Sequence, residues 1–124
     1  MRSWLLVALA AAACSKSGGN KPTSRDGVIE AWKKGGLDPS AFKETKADVG
    51  KDCASGTVNK LDVLVCTFAN EKEAKQAEDN GLAWVGDSTG VSKAQGEILI
   101  VVADRKKVDP NGKTMNQIIT LPAK

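Results

Sequence analysis

In the second half of the chain the longest unbroken apolar run is Ile98 to Ala103, β-branched at most positions and flanked by Glu97 and Asp104. A strand with no polar face needs cover on both sides, so this run predicts a central strand. Val49 to Val58 and Leu61 to Phe68 read as two further strands around Asn59-Lys60. A two-residue hairpin loop at 59–60 fixes their register and sets Cys53 opposite Cys66.

Helical spacing appears elsewhere. Thr23-x-x-Asp26 marks a helix start, with Val28, Ile29 and Trp32 on one face and Gly35-Gly36 at the end. Asp38-Pro39 predicts a short helical turn through Phe42. Asn70-x-x-Glu73 fits a capping box, and Ala74 and Ala77 give a narrow face suited to close packing on a sheet. Asn80-Gly81 is expected to stop that helix, Leu82 to Val85 to form a short strand, and Gly86 to Gly90 a turn. Asp109-Pro110 opens a last helix with Met115, Ile118 and Ile119 inward. The order predicts an α+β domain: a small, mostly antiparallel sheet of three to four strands packed with two to three helices.

The N-terminal pattern is different. Arg2 precedes an apolar stretch from Trp4 to Ala13. That is the layout of an export signal, and it is too short for a bilayer-spanning helix of about 20 residues. The stretch ends in Ala11-Ala12-Ala13-Cys14. This resembles the lipobox of bacterial lipoproteins, in which small residues precede a Cys that becomes the acylated first residue. The family prefers Leu where Ala11 stands.

The segment from Ser15 to Ser24 is Gly/Ser-rich and lacks apolar residues, so it reads as a flexible tether. Its root-mean-square reach is roughly 16–19 Å. The expected organisation is a signal peptide over 1–13, a lipidated Cys and tether over 14–24, and a single α+β domain over 25–124. The resemblance implies a cell-envelope protein anchored by palmitate-type chains on Cys14. Ser15, where Asp would imply retention at the inner membrane, implies the outer membrane facing the periplasm. The domain is similar to small lipoproteins of myxobacterial type through Ala103-Asp104-Arg105 and Asp109 to Lys113, a resemblance that implies no activity.

Cysteine usage agrees with export. With Cys14 acylated, Cys53 and Cys66 remain, and two Cys in a small exported domain pair in an oxidising compartment. Such a bridge contributes about 3 kcal/mol on the chain-entropy model.

Composition then narrows the chemistry. The chain contains no His, which excludes a Ser-His-Asp triad, a Cys-His pair and His-ligated zinc within it. Net charge is +3 with both signs interspersed, unlike the concentrated stripe of a nucleic-acid binder. No metal or cofactor is expected.

Short motifs offer little. Gly86-Asp87-Ser88 resembles the start of an esterase motif that needs a His. Asp87-Ser88-Thr89-Gly90 carries one residue too many for the aspartic protease pattern. Ser40-Ala41-Phe42-Lys43 matches Ser-x-x-Lys without the companion motifs of penicillin-recognising enzymes. Gly112-Lys113-Thr114 lacks the earlier Gly of a phosphate-binding loop.

Two surface features remain. Arg105-Lys106-Lys107, with Lys33-Lys34 elsewhere, offers a basic patch, and Trp84 is a candidate binding aromatic. The leading expectation is a non-catalytic binding or inhibitor-like module with an envelope or exogenous protein partner, presenting loop 86–96. The alternatives are a small hydrolase using Glu71, Glu73, Glu78 or Asp104, and a module that contacts anionic lipid through the basic turn.

Overall fold

A computed structural model describes residues 24–123. Cys14 and most of the predicted tether lie outside the described residues. In chain order the elements are α1 (Arg25–Lys34), β1 (Lys43–Ala47), β2 (Gly50–Val58), β3 (Leu61–Thr67), α2 (Glu71–Gln76), α3 (Glu78–Val85), β4 (Thr89–Gln95), β5 (Ile98–Asp104) and α4 (Lys113–Thr120). A 3-10 turn, Leu121–Ala123, follows.

The class is α+β, and the sheet has five strands, not three to four. All neighbours are antiparallel, in the order β1-β2-β3-β5-β4. β5 lies between β3 and β4 and is buried along its whole length, as its unbroken apolar run demands. Val58 pairs with Leu61 and Cys53 with Cys66, the register expected of a two-residue loop. Asn59 and Lys60 both have positive φ, as the hairpin turn requires.

Period-two alternation gives the sheet two apolar faces. Val58, Leu61, Val63, Val65, Ile98, Ile100 and Val102 face α1 and α4, where Val28, Trp32, Met115 and Ile118 complete the core. The Trp32 indole donates to the Ile118 carbonyl at 2.8 Å, which joins the first helix to the last. The other face carries Leu64, Cys66, Leu99, Val101 and Ala103, covered by Ala74, Ala77 and Val85 of the α2–α3 region. Cys53 and Cys66 lie on this second face with Cα atoms 4.0 Å apart and sulfurs at bonding distance.

Several local expectations change. Ser24, not Thr23, caps α1, its side chain accepting from the Gly27 N–H. The segment from Asp38 to Phe42 is not helical. Pro39 bridges Val58 as an extended residue, and the chain continues into β1. Proline has no N–H to give to a ladder and suits a sheet edge.

Asn80-Gly81 does not stop the helix, and Leu82 to Val85 is helical, not a strand. Gly81 is there for proximity. A Cβ on it would lie 2.1 Å from Ser92 Oγ and 2.8 Å from Val101 Cγ2, so only glycine lets α3 approach β4 and β5 this closely. The stop falls at Gly86, where φ is +68°. Residues expected as a protruding loop, 86–96, instead contain edge strand β4, paired with β5 from Thr89 to Gln95.

The last helix begins at Lys113, later than Asp109-Pro110 predicts. Asp109 still serves its N-terminus, accepting the N–H groups of Thr114 and Met115 at 3.1 and 2.9 Å.

Candidate functional site

Two of the residues singled out from sequence, Trp84 and Arg105, meet at one end of the sheet. α3 delivers Trp84 in its last turn, and Arg105 follows β5 directly. The guanidinium lies 4.7 Å from the centre of the Trp84 ring. Its Nη2 donates to the Trp84 carbonyl at 2.9 Å and its Nη1 to the Val85 carbonyl at 3.1 Å. Its Nε pairs with Asp62 at 3.1 Å.

Three requirements meet in this arrangement. The last carbonyls of a helix lack intrahelical donors, and the negative end of the helix dipole favours a cation. Asp62 neutralises the charge, and the indole face adds a cation–π contact. Arg105 is therefore committed to α3 and β3, although its side chain is 39% exposed. One face of Trp84 is covered by that guanidinium, and the residue is half-buried.

Lys106 and Lys107 continue into an exposed turn, with Lys107 at φ +57°. The turn is fixed from below by Asp104, whose carboxylate accepts the N–H groups of Val108 and Asp109, each at 2.9 Å. Asp104 and Asp109 are both buried, and both are used as acceptors for this loop.

Lys33 and Lys34 also reach this end. α1 starts beside Asp52 near the beginning of β2, where Arg25 pairs with that residue, and it runs toward the other end of the sheet. Just past its end, the Asp38 N–H donates to Asn59 Oδ1 at 2.7 Å. The Asn59-Lys60 turn thus joins the basic end, a member that spacing along the chain gave no reason to include. A shallow depression of about 360 Å³ there is lined by Asp38, Ser40, Thr57, Asn59 and Lys60.

The carboxylates weighed for hydrolysis are scattered. Glu78 accepts the backbone N–H of Ala94 at 2.8 Å on the flank of β4. Glu71 pairs with Lys75 at 3.9 Å, Glu73 is exposed, and Asp104 holds the loop. Glu71 lines a shallow depression with Lys72, Lys75 and Gln76, and none of the other three carboxylates lines it.

Ser40 Oγ accepts the Thr57 N–H and donates to the Ala41 carbonyl, a sheet-edge role. Among the described residues no group of three or more Cys, Asp or Glu side chains is gathered to hold a metal ion, and no helix is long and apolar enough to cross a membrane. Comparison with family models, with curated proteins and with solved structures finds no match for the chain.

Proposed function

We propose that this chain is a lipid-anchored protein of a bacterial envelope. Cys14 holds it to the outer membrane on the periplasmic side, and its domain binds a protein partner without performing chemistry. One observation carries the binding part of this reading. The described chain enters the domain at Ser24, beside Asp52 and Thr67, which line one depression with Ser24, Arg25 and Asp26. Lys60, Lys106 and Lys107 lie in turns at the opposite end of the sheet, and Lys33 and Lys34 stand in the last turn of α1, whose exit meets the Asn59-Lys60 turn there. A strand of β3 or β5 separates the two ends by about 23 Å at roughly 3.3 Å per residue.

A domain tethered at its Ser24 end carries its basic end on the far side of the sheet from the point of attachment, where it can reach soluble or wall-bound partners. This placement favours a protein ligand over the lipid-surface alternative. It also moves the presented surface from residues 86–96, which are largely strand, to the 105–108 turn and the Asn59-Lys60 turn.

Two measurements test the reading. In a Gram-negative host, the full chain should incorporate labelled palmitate and fractionate with membranes, and Cys14→Ser should abolish both. A photo-crosslinking residue placed at Lys106 of the anchored chain should form adducts with protein. The same probe at Lys51, on the tether end, should give lipid adducts instead. Lipid adducts at Lys106 would restore the lipid-surface reading.

A further inference from the structure

The exposed flank of β1 is self-complementary in hydrogen bonding and in charge. Among the described residues the sheet ends at β1. The phase of its backbone follows from its neighbours. The Ser40 N–H donates to the Thr57 carbonyl and the Asn59 N–H to the Asp38 carbonyl, so Thr57 turns its backbone groups toward the β1 side. Antiparallel strands alternate in this respect, so Ser55 and Cys53 do the same. Their partners are Lys43 and Thr45. Glu44 and Lys46 therefore direct their N–H and C=O groups outward.

The β1–β2 ladder shifts register between Thr45 and Ala47, where the one residue Lys46 of β1 spans Lys51 and Asp52 of β2, so the extra residue belongs to β2. Placing a second β1 antiparallel to the first, about a two-fold axis through the Thr45 pair, brings Glu44 opposite Lys46 of the second copy, and the converse. These are the residues whose backbone groups point outward, so the hydrogen-bonded positions and the opposite charges coincide. Directly opposed unlike charges attract across a ladder, and like charges repel. Both side chains can be reached by a second copy: Lys46 is exposed, and Glu44 is 84% exposed while also pairing with Arg25 at 3.3 Å.

We propose that β1 is a homotypic contact, through which two copies of this chain join edge to edge into a ten-stranded sheet. The contact does not depend on acylation of Cys14. Five residues a side make a small interface, in the size class of weak and transient association. Two Lys in five residues also disfavour other strands: an apolar or basic partner leaves the Lys46 charge unpaired, whereas the same sequence offers Glu44 opposite it.

The test uses the full chain carrying Cys14→Ser, studied by sedimentation over a wide concentration range. The wild-type edge should show a concentration-dependent dimer. Lys46→Glu and Glu44→Lys each place like charges opposite one another twice, and each should weaken the dimer about tenfold or more. The double variant Glu44→Lys/Lys46→Glu should restore it, and an equimolar mixture of the two single variants should form heterodimers. Glu44→Lys also removes the ion pair with Arg25 at 3.3 Å, so thermal melts accompany each variant, and Lys46→Glu and the mixture bear the main weight. A chain that stays monomeric throughout, or a dimer indifferent to both reversals, would overturn the proposal.

Discussion

The carboxylate of Asp104 accepts the backbone N–H of Asp109 at 2.9 Å, and Asp109 in turn accepts the N–H groups of Thr114 and Met115. Two buried acids thus carry the chain from the end of the central strand to the start of the last helix. Asp104→Ala should leave the N–H groups of Val108 and Asp109 without their acceptor. The expected cost is about 1–3 kcal/mol. Urea denaturation measures it, and amide exchange at Val108 and Asp109 should accelerate more than exchange in β2. An unchanged midpoint would show that the loop holds its shape without Asp104.

Arg105 supplies three directed contacts from one planar group, and an ammonium cannot reproduce that fork. Arg105→Lys should therefore resemble Arg105→Ala, each losing about 1–2 kcal/mol through the freed carbonyls of α3 and the unpaired Asp62. The emission of Trp84 should shift as its ring loses the guanidinium. Full retention of stability by the Lys variant would mean that charge alone is needed at this position.

The central hairpin, the fully buried strand and the Trp32 helix were legible because each buries a face that its sequence marks. Cys53 and Cys66 followed from the turn alone, since the two-residue loop sets every pair along β2 and β3. The edge strands were not legible. Lys43 to Ala47 and Thr89 to Gln95 are partly exposed, and their assignment rests on partners far along the chain. Gly81 misled for a related reason: its value lies in what it permits Ser92 and Val101 to approach, which spacing along one helix does not encode. At the candidate site, Trp84, Lys33, Lys34 and Arg105 to Lys107 were visible as residue types. Their gathering at one end needed the sheet, as did the addition of Lys60.

Gly81→Ala offers a test in which two effects have opposite signs. In an exposed helix interior the change would stabilise by about 1 kcal/mol. Here the added methyl meets Ser92 Oγ and Val101 Cγ2 well inside contact distance, and overpacking of this kind costs about 1–3 kcal/mol. The net change should be destabilising. Adding Ser92→Ala, which removes one of the two obstacles, should recover part of the loss. Thermal melts of the two single variants and the double variant give the coupling. A stabilised Gly81→Ala would mean that α3 can lift from the sheet at little cost.

Cys53 and Cys66 occupy a position in the hairpin where side chains come closest. Val58 and Leu61 close the two-residue turn as a hydrogen-bonded pair, and alternation makes 53 and 66 a pair without ladder bonds between them. A bridge there constrains a short loop in the unfolded chain, and replacing both residues with Ala should cost about 3 kcal/mol. The register itself is held by Val58, Leu64, Val65 and their neighbours, all buried. The Cys53→Ala/Cys66→Ala chain should therefore keep its far-ultraviolet spectrum while its denaturation midpoint falls. Thiol labelling of the unaltered domain, unfolded without reductant, should find both sulfurs blocked. Two free thiols in material taken from the periplasm would remove the bridge from this account, and with it one support for an exported address.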